Sequence, residues 1–83
     1  MNAHKSIQLE YFAMLRERCG LDHETVSTAA ATPGELFAEL DGRYGLGMPP
    51  ALFRVAVNGD YSPWDRPLSD GDSVVFIQPV AGG

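Results

Sequence analysis

Apolar and polar residues alternate from Ile7 to Phe12: Ile7, Leu9 and Tyr11 fall on one face, and Gln8, Glu10 and Phe12 on the other. A period of two predicts a half-buried strand. Ala13 to Cys19 (AMLRERC) favours helix, and Gly20 stands where a left-handed residue would end it. His23 to Thr28 (HETVST) is rich in β-formers and alternates, which predicts a second strand. The period then changes. Thr32-Pro33-Gly34-Glu35 offers a cap, a proline at the first helical position and an acid able to close a capping box. Leu36, Phe37, Leu40 and Tyr44 follow at helical spacing, and Gly45 can cap the C-terminus, so a helix is predicted from about Pro33 to Tyr44. Gly47 to Pro50 is a loop. Arg54 to Asn58 (RVAVN) reads as a strand with Val55 and Val57 on one face, and Asn58-Gly59 as a tight turn. Asp60 to Leu68, interrupted by Pro63 and Pro67, reads as mostly loop. After a turn at Ser69 to Asp72, Ser73 to Gln78 (SVVFIQ) is a near-continuous apolar run. Such a run fits a strand covered on both sides, or one whose outer face is a binding surface.

The order strand, short helix, strand, helix, strand, turn, strand defines an α+β domain: a small mixed sheet with one main helix across it. The helix stripe needs an apolar surface to cover, and Ile7, Leu9, Tyr11, Val55, Val57, Val74 and Phe76 are the natural other half of that core. Met1 to Lys5 is expected to fray.

With 83 residues, one domain is expected, spanning 1–83. A fold this small buries only roughly 60–65% of its unfolded surface, so its core must be efficient. The single cysteine, Cys19, can neither staple the fold nor build a zinc site alone. Met1 to Ser6 is polar and has no apolar h-region, so no signal peptide is expected, and no run approaches a membrane span; the expected location is cytoplasmic. The formal charge of −5 argues against nucleic acid, which wants clustered Lys and Arg, and suits a basic protein partner or plain solubility.

The chain ends Pro79-Val80-Ala81-Gly82-Gly83. Two terminal glycines arise by chance in roughly 0.5% of chains, and a frayed end would explain them. They also permit chemistry. A tail without Cβ atoms can pass through a slot too narrow for side chains and deliver a bare carboxylate to a distant active site. ATP can activate that carboxylate as an acyl-adenylate, which a sulfur nucleophile can then attack. The carrier supplies reach, flexibility and a free end, expected at Gly83.

Four segments resemble one family in order. Tyr11 to Glu17 (YFAMLRE) resembles the F-F-A-x-x-R-E segment of molybdopterin synthase small subunits, members of the MoaD/ThiS ubiquitin-like sulfur carriers. Ala56-Val57-Asn58 is similar to their A-V-N strand end, Pro67 to Asp72 to their P-L-x-D-G-D turn, and Val74 to Gly83 to their terminal strand and tail. The resemblance implies a β-grasp fold with the first and last strands parallel at the sheet centre, and a flexible reactive tail at 79–83. It implies that a ubiquitin-activating-type adenylyltransferase, using ATP and Mg, adenylates Gly83. A sulfur donor then makes the thiocarboxylate. The tail enters the large synthase subunit, where two small subunits per heterotetramer supply the dithiolene sulfurs that turn precursor Z into molybdopterin. No cofactor or metal would be bound by this chain, which would not be an enzyme on its own. Gly82 and Gly83 match the reactive end. Phe12, Tyr61 and Ile77 match an apolar partner patch; alternation adds Val75, and the interface would continue through Pro79, Val80 and Ala81. The alternative is that a loop covers these residues, with Trp64 as its natural lid. Gln78, where many members have proline, and Ile77, in place of an aromatic, depart from the pattern.

Other residues suggest less. Cys19 reads as a small packed hydrophobe rather than a sulfur relay. His4 and His23 have no neighbours at ligand spacing, and Asp70 and Asp72 are too few for a calcium loop. Arg16 fits a solvated helix face or a partner carboxylate. The same tail would also serve a carrier for thiazole, cysteine or tRNA thiolation, or a ubiquitin-like modifier.

Overall fold

The computed structural model describes residues 4–78. Its elements are β1 (Lys5–Glu10), α1 (Ala13–Cys19), β2 (His23–Thr28), α2 (Pro33–Tyr44), a 3-10 turn (Pro50–Leu52), β3 (Arg54–Val57), β4 (Asp60–Ser62) and β5 (Ser73–Ile77). The strands form one sheet in the order β2-β1-β5-β3-β4. β1 and β5 run parallel, and the other neighbours are antiparallel. The first and last strands thus lie side by side in the sheet interior, as expected of a β-grasp. Among the described residues no helix is long and apolar enough to cross a membrane.

The seven residues expected to complete the core are all buried, together with Leu36, Phe37 and Leu40 of α2. Phe37 is the aromatic centre, with ring centroids 5.3 Å from Phe53, 5.7 Å from Trp64 and 5.2 Å from Phe76. Thr32 caps α2: its Oγ1 accepts from the Glu35 N–H at 3.2 Å. Glu35 reaches back to the Ala31 N–H rather than to that of Thr32, so the box closes one residue early.

Three boundaries depart from the sequence expectation. Lys5 belongs to β1, paired opposite Thr28, and its Nζ donates to the Ala30 carbonyl. Pairing with β2 overrides the tendency of a terminus to fray. β1 stops at Glu10 rather than Phe12, because the Tyr11 N–H turns to the Asp22 carbonyl and Phe12 becomes the N-cap of α1. The segment from Asp60, expected to be mostly loop, begins with β4, formed by pairing with β3 across the Asn58-Gly59 turn. Three residues are too few to display a period; the turn supplies the strand.

Candidate functional site

The sheet buries one face under α2 and leaves the other open. On β3 the inward Val55 and Val57 bracket Ala56, and on β5 Val74 and Phe76 bracket Val75. Cross-strand register places Tyr61, Ala56, Val75, Glu10 and His23 in one row across the sheet, with Arg54 and Ile77 in a second. Tyr61 is 70% exposed, and Val75 and Ile77 are half-buried. With Tyr11 turned into the core, Phe12 is left outside at 49% exposure. Of the described residues expected at an outward patch, Tyr61, Val75 and Ile77 lie in these two rows, and Phe12 is exposed just after β1; between Tyr61 and Val75 the row also holds Ala56, which is buried. That residue was legible as outward from the alternation of RVAV, which points Val55 and Val57 in.

Trp64 does not cover this strip. Its ring stacks on Phe76 at 5.7 Å and 11° and meets Phe37 edge-on, so it closes the core on the helix side. A depression of about 260 Å³ lies over the β1–β2 half of the sheet, lined by Gln8, Glu10, His23, Thr25 and Ser73 among others. Pro79, Val80, Ala81, Gly82 and Gly83 lie outside the described residues, and β5 is the strand that leads into them.

Polar groups fix the strip at both ends. At the turn end, Asn58 Nδ2 donates to Asp72 Oδ1 at 3.0 Å, and Asn58 Oδ1 accepts from the Ser73 N–H at 3.0 Å. Asp72 also accepts from the Ser69 N–H at 2.8 Å, and Asp70 from the Ser6 N–H at 2.6 Å. These backbone and amide donors hold the Asp72 carboxyl below its usual range. The two acids therefore pin β1, β3 and β5 together. At the other end, Tyr11 donates to Glu24 Oε2 at 2.5 Å and Tyr44 donates to the same oxygen at 2.6 Å. Sequence reasoning missed this bridge. Ala13 follows Phe12 with φ 48°, a left-handed value that a non-glycine residue adopts only under constraint. The constraint is visible: Tyr11 is anchored inward, and the Phe12 carbonyl accepts from Leu15 and Arg16.

The remaining candidates resolve simply. Cys19 is half-buried against the core, and burial pushes its thiol up, away from the reactive thiolate. Arg16 sits 3.8 Å from Asp22 on an exposed surface. His4 and His23 are exposed. Among the described residues no three His, Cys, Asp or Glu side chains converge as metal ligands.

A model of the ThiS family matches residues 9–83. The chain belongs to the ThiS family. It is 36% identical over 81 residues to the molybdopterin synthase sulfur carrier subunit of Escherichia coli (strain K12), covering 93% of this chain and 99% of that protein. Among solved structures it is similar to SAMP1 from Haloferax volcanii, with 25% identity, TM-score 0.76, and 94% and 99% of the two chains covered. It is also similar to a chain in the complex of subunits 1 and 2 of molybdopterin-converting factor from Helicobacter pylori, with 26% identity, TM-score 0.63, and 94% and 99% covered. The ThiS-family chain thus has the β-grasp, ubiquitin-like fold expected from its motifs.

Proposed function

We propose that this chain is the sulfur-carrier subunit of a molybdopterin synthase. The observation that carries the reading is the open apolar strip on the strand that leads into the Gly-Gly end, in a chain 36% identical to a bacterial sulfur carrier subunit. An adenylyltransferase binds the strip and brings the Gly83 carboxylate to ATP. A carboxylate oxygen attacks the α-phosphorus, pyrophosphate leaves, and the acyl-adenylate forms. Sulfide-level sulfur supplied by a donor (HS⁻) attacks the acyl carbon, AMP leaves with the bonding pair, the S–H proton is lost to solvent, and Gly83 ends in a thiocarboxylate. The same strip then docks on the large synthase subunit, and the tail delivers sulfur to precursor Z. The carrier's side chains make and break no bonds in this scheme; they hold the partner and aim the end.

Molybdopterin formation from precursor Z, with thiocarboxylated chain and a matched large subunit, tests the pathway. Product should appear with the native chain, and Gly82→Ala should block transfer while leaving the urea midpoint unchanged. Thiocarboxylated chain that yields no product would move a thiazole or cysteine route ahead.

A further inference from the structure

Arg54 is exposed and shares the open face with the apolar strip. It is the first residue of β3, directly opposite Ile77, the last residue of β5. β4 does not extend to this row, since its pairing with β3 ends at Val55 opposite Ser62. Arg54 therefore flanks the strip at the point where the chain passes toward the tail.

Its guanidinium is unused. Among the described residues Arg43 lies 3.7 Å from Glu39, Arg16 3.8 Å from Asp22, and Lys5 donates to the Ala30 carbonyl. Arg54 makes no ion pair, hydrogen bond or ring contact among them. Arg18 is also exposed and unpaired, but it lies on α1, off this sheet face. In a chain with eleven acidic and six basic residues, an arginine left alone in the same row as Ile77 of the apolar strip needs a reason. Apolar strips provide area but little orientation, whereas a charge at one end fixes register and penalises wrong partners. Arginine is enriched at interfaces, and its planar fork suits a carboxylate.

We propose that Arg54 is a specificity determinant of this face, pairing with a carboxylate side chain of the large synthase subunit as that subunit receives the tail. The inference rests on the docking role given to the strip above. With the tail extended, Gly83 stands about 20 Å beyond the Ile77 row, so Arg54 reads the docked partner and not the reacting group.

Affinity for the matched large subunit, measured by calorimetry at low and high salt for native, Arg54→Glu and Phe12→Ala chains, tests this. Arg54→Glu should weaken binding by about tenfold at low salt and much less at high salt, because charge pairs at an interface rim are screened. Phe12→Ala should weaken binding at both. Both positions are exposed, so unchanged urea midpoints will certify the fold. Reversing the facing acid of the large subunit to lysine should restore binding to Arg54→Glu. If Phe12→Ala weakens binding while Arg54→Glu does not, or does so independently of salt, the Arg54 pairing is wrong and the docking role stands. If neither variant weakens binding, the docking role itself fails, and the pairing with it.

Discussion

A half-buried carboxylate, Glu24, accepts two tyrosine hydroxyls at 2.5 and 2.6 Å and so ties β1 and α2 to β2. The sequence offers no sign of it. Glu24 falls on the inward face of β2, where an apolar residue is expected, and its partners lie 13 and 20 positions away. Only the closed fold brings the three together. Burial and the neighbouring Glu24 hold the Tyr11 phenol far above its ordinary 10.0, and the bond to Glu24 raises Tyr44 as well. Both tyrosines therefore keep their protons to higher pH when folded. The stability they contribute is fully present below pH 10.0 and declines as pH rises beyond it, where the unfolded chain releases protons that the folded chain retains. Tyr11→Phe should cost about 2 kcal/mol near neutrality, the scale of a hydrogen bond to a charged acceptor. It should also flatten the alkaline decline. Urea midpoints measured as pH is raised through the tyrosine range check both effects. A Tyr11→Phe curve parallel to the native one would remove this account of the bridge.

At the scale of elements, local chemistry was readable wherever a short motif decides the outcome. α1, β2 and α2 fall where propensity, alternation and the Thr32–Gly45 signals place them. β4 was not readable, because its pairing with β3 and not its own pattern creates it. Trp64 shows the same limit. Its segment lacks periodicity, and only the closed fold turns its ring onto Phe76 rather than over the outer strip. The Asn58-Gly59 turn joins these scales. Asn58 adopts φ 53°, which its short amide tolerates, and the amide also binds Asp72 and Ser73. Asn58→Ala should lose both bonds and strain the turn, costing about 2 kcal/mol. A fall in the thermal midpoint together with increased hydrogen exchange at β3 and β5 would match this; an unchanged midpoint would assign the turn to Gly59 alone.

At the scale of the molecule, the fold divides its labour between two sheet faces. One is filled by α2 and the aromatic cluster around Phe37, and the other carries exposed Tyr61 and half-buried Val75 and Ile77 around a buried Ala56, with Phe12 exposed after the end of β1. The expected outward patch drew on two readings: alternation and the family resemblance coincide at Phe12 and Ile77, while Val75 comes from alternation alone and Tyr61 from the resemblance alone. Arg54 and Ala56 were not singled out for that face: Arg54 entered only as the start of a strand, and Ala56 only as part of the A-V-N strand end. The proposed reactive role of Gly83 is the central claim, and it belongs to the whole chain, because in the proposed scheme a partner grips the strip while the end is modified. Intact-mass measurement after incubation with ATP, a competent adenylyltransferase and a sulfur source tests it most directly. The account predicts a gain of about 16 Da, oxygen replaced by sulfur, located on Gly83 and absent when one residue is added after it. No gain with an activating enzyme shown to be active, or an equal gain in the extended chain, would contradict it.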